Sequence, residues 1–197
     1  MVILRDAAVR YSSRQAAAVE AGLREVVTAG LAGSVAAAGV LVAVARDRVG
    51  SQMRTKEFLS KLEHDQIVQA IRDAEAKTSG EIRVYIQRGK LNVDPLSVAQ
   101  KKFHGLRMHK TRGRNAVLIF VAPRAHKFAV VGDRAIHEKC GEQFWRRVVD
   151  EMRKHFQNEK FSHALIEAIG EIGRLLASHF PNTAAKADEL PDDVVEG

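Results

Sequence analysis

Three stretches decide how this 197-residue chain folds: Ser79-Gly80-Glu81-Ile82-Arg83-Val84, Asn115-Ala116-Val117-Leu118-Ile119-Phe120-Val121 and Gly132-Asp133-Arg134-Ala135-Ile136-His137-Glu138. Residues 82–87 alternate apolar and polar, the period of a strand with one dry and one wetter face. Residues 116–122 form an unbroken apolar run closed by Pro123, as expected of a central strand covered on both faces. Residues 128–131 are a third short β-rich run. Only residues 123–127 separate it from the second, so the two predict an antiparallel hairpin.

Helices fill the spaces between these strands. Ser60-Lys61-Leu62-Glu63 has the form of a capping box, followed by Leu62, Ile67, Ile71 and Ala74 at helical spacing up to Gly80. Asp94-Pro95 supplies an N-cap and a first-turn proline, with Leu96, Ala99, Phe103 and Leu106 on one face. Trp145, Val148, Val149, Met152 and Phe156 mark a third helix, and Phe161, Leu165, Ile169, Ile172 and Leu176 a fourth. Gly170 and Gly173 lower helix propensity and predict close contact with the sheet. The pattern predicts a single small α/β domain over residues 53–180. Its central sheet has about three or four strands, including a β-hairpin, with helices on both faces.

These same features resemble the TPM domain family. The resemblance rests on Ser79-Gly80-Glu81 at the start of the first strand, Asn115-Ala116-Val117-Leu118 at the second, and the glycine-containing segment from Gly132 to Glu138 before two amphipathic helices. The family segment is commonly Gly-x-Gly-Leu-Glu, and this chain lacks its second glycine. The resemblance implies one of two roles. Many members are accessory factors of membrane complexes, which implies an interaction or assembly module whose partner is a protein or membrane complex. Acid phosphatase activity has been attributed to others, which implies a weak metal-assisted phosphatase.

Composition is that of an ordinary globular domain, 46% hydrophobic and 28% charged. A net charge of +7 with a pI near 9.8 favours anionic partners. The basic residues are spread along the chain, without a basic helix, helix-turn-helix, zinc-finger spacing or aromatic stacking strip. A solvated basic surface is therefore expected rather than specific nucleic-acid binding. The one cysteine, Cys140, excludes an intrachain disulfide. It stands where a helix opens at Cys140-Gly141, which would activate it, but free cysteines are mostly buried, and a structural thiol is expected.

Candidate chemistry lies at the two ends of the sheet. With the first two strands parallel, their C-terminal ends carry Arg88, Lys90, Arg124, His126 and Lys127, an anion site of the kind open α/β sheets place there. At the opposite end, His109, Lys110, Arg112 and Arg114 precede the second strand, near Glu81 and the segment from Gly132 to Glu138. Asp133, His137 and Glu138 are candidate ligands for a divalent cation, and the same residues read equally well as an exposed polar turn. A phosphatase would need a metal at Asp133 and Glu138, with Arg112 or Arg114 binding phosphate. Dinucleotide, P-loop and nucleophile-elbow motifs are absent from the sequence, and no catalytic residue is assigned.

The flanks read differently. Residues 26–45 carry no charge but hold two leucines and three glycines, enough apolar length for a marginal membrane span. Alternatively Met53 is the natural start and residues 1–52 are an extension. The expected location is the cytoplasm, with a single N-terminal span as the alternative. Residues 181–197, with Asp188, Glu189, Asp192, Asp193 and Glu196, predict a flexible acidic tail.

Overall fold

The computed structural model describes residues 41–46, 55–182 and 192–197. In chain order they form β1 (Leu41–Arg46), α1 (Thr55–Ser60), α2 (His64–Glu75), β2 (Glu81–Ile86), α3 (Pro95–Gly105) and β3 (Ala116–Ala122). β4 (Lys127–Gly132), α4 (Arg134–Gln157), α5 (Phe161–His179) and β5 (Val194–Glu196) follow. The sheet order is β1-β4-β3-β2-β5. β3 and β4 form the expected antiparallel hairpin, joined by a 3-10 turn at Pro123–Ala125. β2 and β3 run parallel, with Glu81 opposite Ala116 and Ile86 opposite Val121.

Side-chain alternation sorts the sheet into two dry faces. Ile82, Val84, Ile86, Val117, Ile119, Val121, Phe128 and Val130 join the larger core with residues of α1, α2, α4 and α5. Tyr85, Ala116, Leu118, Phe120, Ala129 and Val131 pack on the other face with Ala99 and Phe103 of α3 and with Met108. The sequence alternation in β2 predicts a wetter face, yet all six residues of the strand are buried, Glu81 and Arg83 included. Tyr85 joins the core beneath α3, with Lys102 over its ring 4.6 Å from the centroid, whereas Arg83 lies in the field of Asp193, Glu75, Glu81 and Asp192.

Several local expectations change in the structure. The capping box at Ser60–Glu63 does not form, because Ser60 ends α1 and its Oγ donates to the Glu57 carbonyl. Leu62 is buried in the turn before α2, which starts at His64. The Asp94 cap is present, with Ser97 N donating to its carboxylate at 3.1 Å. The stripe from Trp145 to Phe156 opens at Gly141, as the sequence predicts: φ there is 66°, which breaks Arg134–Gln157 into two helical pieces, and the piece before Gly141 is the addition. Gly173 makes its close approach to α2 rather than to the sheet. A Cβ there would lie 2.6 Å from the Ala74 Cβ, so the two helices meet at backbone distance. Gly170 has no such contact with the sheet, and a Cβ there would meet only Arg174, at 3.6 Å.

Both sheet edges come from the flanks. β1 pairs antiparallel with β4, Leu41 opposite Gly132 and Arg46 opposite Lys127. Leu41 to Ala45 of the apolar run therefore form strand, and residues 26–40 lie outside the described residues. No helix among the described residues is long and apolar enough to cross a membrane. In the acidic tail, β5 pairs parallel with β2, Val84 opposite Val194. Arg88 pairs with Glu196, and Arg72 lies 3.6 Å from Asp192. This end of the tail is thus docked, and residues 183–191 lie outside the described residues.

Two substitutions test this packing. Phe120 and Trp145 are buried on opposite sides of the sheet, so Phe120→Ala should lower stability by about 3–5 kcal/mol in urea denaturation. A loss below about 1 kcal/mol would place β3 at a solvent-facing edge. Gly173→Ala should destabilise although it raises helix propensity, because the Ala74 contact leaves no room for a methyl group.

Candidate functional site

At the N-terminal end of the parallel pair, β2, β3 and α4 start within reach of one another, and polar groups tie these starts together. Asn115 is buried; its carbonyl accepts from Glu81 N at 3.4 Å, and its Nδ2 donates to Ser79 Oγ at 3.2 Å. Thr78 Oγ1 donates to the Phe180 carbonyl and accepts from Gly80 N at 3.0 Å, fixing the end of α5 against the start of β2. Glu75, at the end of α2, accepts from Ile82 N at 2.5 Å. A Cβ on Gly80 would stand 2.9 Å from the Leu176 methyl groups and 3.0 Å from the Asn115 carbonyl, so only glycine fits. Gly132 meets the Trp145 ring in the same way, at 2.7 Å.

Asp133 follows Gly132 and is 1% exposed. Its backbone N–H donates to the Ala116 carbonyl at 2.9 Å, and its Oδ1 accepts from Arg134 N at 2.8 Å, capping α4. Its Oδ2 lies 3.2 Å from Arg114 Nε without a hydrogen bond, an ion pair made by proximity. Arg114 itself is about half exposed and holds a left-handed backbone, φ 48°. Across from it Arg134 pairs with Glu138 at 2.7 Å on the first turn of α4. Gly113, Arg114, Arg134, Ala135 and Glu138 line a shallow cleft between the β3 approach and this turn. Nearby, partial burial, followed by the positive fields of His104, Lys110 and Arg114, holds the His109 imidazole below its ordinary 6.5.

The predicted site residues divide in two. Arg114, Asp133 and Glu138 gather at this cleft, and the exposed Arg112 stands just before Gly113. Arg134 is an addition that the sequence reading missed; it sits inside the quoted motif, and its charge was the available signal. Asp133, His137 and Glu138 do not converge as a ligand set, because Asp133 is committed to the helix cap and Arg114 while Glu138 faces Arg134. At the opposite end, Lys90 and Arg124 are exposed, while Arg88 is held by Glu196 and its N–H donates to the Gly197 carbonyl. His126 and Lys127 are half-buried at the hairpin turn.

Among the described residues, a different set converges: His155, His163 and Glu167. His163 and Glu167 stand four apart on α5, a spacing visible in the sequence, but His155 joins them only through the turn between α4 and α5. Cys140 is half-buried, its Sγ donates to the Ile136 carbonyl at 2.9 Å, and burial pushes its thiol up to about 11.

A mixed five-stranded sheet layered by helices on both faces, with a polar seam at the start of its parallel pair, defines the class of α/β domain. Residues 53–175 match the TPM domain, and the chain belongs to that family. It is similar to the BA42 protein of the psychrophilic bacterium Bizionia argentinensis, known from an NMR structure. The two share 36% identity over 68% of this chain and 92% of that one, with a TM-score of 0.64. Among the curated proteins, none matches.

Asp133→Ala should lower stability by about 1–3 kcal/mol, since it removes a helix cap and leaves Arg114 unpaired. Asp133→Asn, which keeps an acceptor for Arg134 N, should cost less; equal losses in denaturant midpoint would show that the cap contributes nothing. Cys140 should alkylate near pH 8 about a hundredfold more slowly in the folded chain than after unfolding, as a rise of about two pKa units dictates. Equal rates, followed by mass spectrometry, would place the thiol at the surface.

Proposed function

We propose that this TPM-domain protein is an interaction and assembly module, an accessory part of a larger protein or membrane complex that acts from the cytoplasm. The observation that carries the reading is the fixed cation at the lip of the cleft. Arg114 is anchored from below by the buried Asp133, and Arg134 stands opposite on a helix turn. Arg112 and Lys110 extend the positive rim, and both are exposed. An acidic segment of a partner would exchange with Glu138 on Arg134 and align along this rim, gaining charge-assisted hydrogen bonds. Arginine suits such a role because its planar fork meets carboxylates two bonds at a time.

The experiment is photocrosslinking in the native cell from a reactive residue placed at Lys110, with Arg112→Glu and Arg134→Glu as variants. Both arginines are exposed and surface ion pairs such as Arg134–Glu138 contribute little, so the variants should stay folded with a melting temperature only a few degrees below the parent. The expected result is one dominant crosslinked partner that disappears with charge reversal. Crosslinks unchanged by both reversals would remove the basic rim from the interface.

The same cleft supports a second reading, a metal-assisted acid phosphatase, because it brings Arg114 and Arg134 beside Asp133 and Glu138. There Arg112 or Arg114 would hold the phosphate, and a divalent cation taken up by Glu138 on release from Arg134 would polarise a phosphoryl oxygen, with Asp133 remaining on the helix cap beneath Arg114. Release of p-nitrophenol from its phosphate ester, with and without divalent metals, separates the two. Metal-dependent turnover that copurifies with the chain and falls at least tenfold in Glu138→Gln would favour the enzyme. Assembly alone predicts no such turnover.

A further inference from the structure

His155, His163 and Glu167 lie at the corner where α4 gives way to α5, at the other end of α4 from Asp133. One Glu167 oxygen is 2.7 Å from His155 Nε2, and the other is 3.3 Å from His163 Nε2. The two imidazole rings meet edge to face with centroids 4.6 Å apart. All three ligand atoms fall within 4.8 Å of one another. Ligands about 2.0–2.2 Å from a tetrahedral ion stand roughly 3.4 Å apart, so small side-chain rotations would close this set around one cation.

The corner that carries these groups is fixed. The His155 carbonyl accepts from both Asn158 N and Lys160 N, at 3.1 and 3.0 Å, and Asn158 Nδ2 donates to the Lys154 carbonyl. Glu159 takes a left-handed conformation to make the turn, φ 56°. The neighbours of the ligands in sequence, Phe156 and Phe161, are buried and packed together at 5.8 Å, with Phe128 and Phe58 against them. His155 is therefore held by the last turn of one helix, while His163 and Glu167 share a face of the next. The backbone positions of all three are set before any ligand arrives.

We propose that His155, His163 and Glu167 form a binding site for a divalent transition ion of the zinc type. Two imidazoles and one carboxylate suit zinc, whereas magnesium and calcium select oxygen ligands. Three protein ligands leave the fourth position to water, because His163 and Glu167 are about half exposed. The ion clasps α4 to α5 and places a positive charge at the end of the sheet remote from the Arg114 cleft. This site is independent of the proposed assembly and phosphatase roles, neither of which uses its residues.

The test uses the full chain, free of any affinity tag and stripped of metal, titrated with Zn²⁺ by calorimetry and with Co²⁺ by visible absorption. One equivalent should bind, with the intense visible bands of four-coordinate cobalt, and Zn²⁺ should displace it. His163→Ala and Glu167→Gln, at exposed positions where the fold should be unaffected, should weaken Zn²⁺ by at least about tenfold. His104→Ala with His109→Ala serves as the control, since those rings also stack, at 4.8 Å, and it should leave affinity unchanged. Binding lost in the control instead, affinity untouched in His163→Ala and Glu167→Gln, or no cobalt bands with wild type would overturn the site and leave an ion pair between imidazole and carboxylate.

Discussion

β3 has no face that water reaches. Its seven residues are all buried, with Val117, Ile119 and Val121 turned to α2, α4 and α5, and Leu118 and Phe120 to α3. A strand with two dry faces must be covered by helices on both, and its backbone groups must be paired along both edges. β2 and β4 supply that pairing, and the outer strands β1 and β5 then cover the edges of those two. The layered arrangement follows from this one strand, because any loss of cover on either side would expose a continuous apolar surface.

The second constraint acts at the start of the parallel pair. A parallel pair brings the entries of two strands to one end of the sheet, and each entry carries backbone groups that the ladder leaves unpaired. Asn115, Thr78, Ser79 and Glu75 satisfy them, and Gly80 lets Leu176 approach. Asp133 does the same service for the N-terminus of α4 and, from its buried position, holds Arg114 at the surface. The exposed basic rim thus stands on a buried carboxylate, which couples the candidate binding surface to the stability of the fold.

The family motifs are legible in this light as packing devices. Ser79-Gly80-Glu81 and Asn115 form the seam, and Gly132 makes room for Trp145. Their residue types follow from close approach and buried hydrogen bonds, which explains why they identify the domain without naming a reaction.

Periodicity alone determined the elements that bury a face: the β3 run, the hairpin, the Asp94-Pro95 cap, and the apolar stripes of α4 and α5 all stand where the pattern places them. These are local signals, set by the 2- and 3.6-residue repeats of side-chain direction. Tertiary structure decided what depends on contacts between distant segments. The polar positions of β2 are buried because distant segments close around them, Arg83 lying in the field of Asp192 and Asp193 from the tail and of Glu75 from α2. Ser60 ends a helix instead of capping one, and Gly173 answers to Ala74 rather than to the sheet. Residues 41–46 and 194–196 become edge strands because β4 and β2 offer unpaired backbone, which short segments of many compositions can fill. His155 meets His163 and Glu167 for the same kind of reason: a turn brings them together, and no repeat in the sequence records a turn's direction.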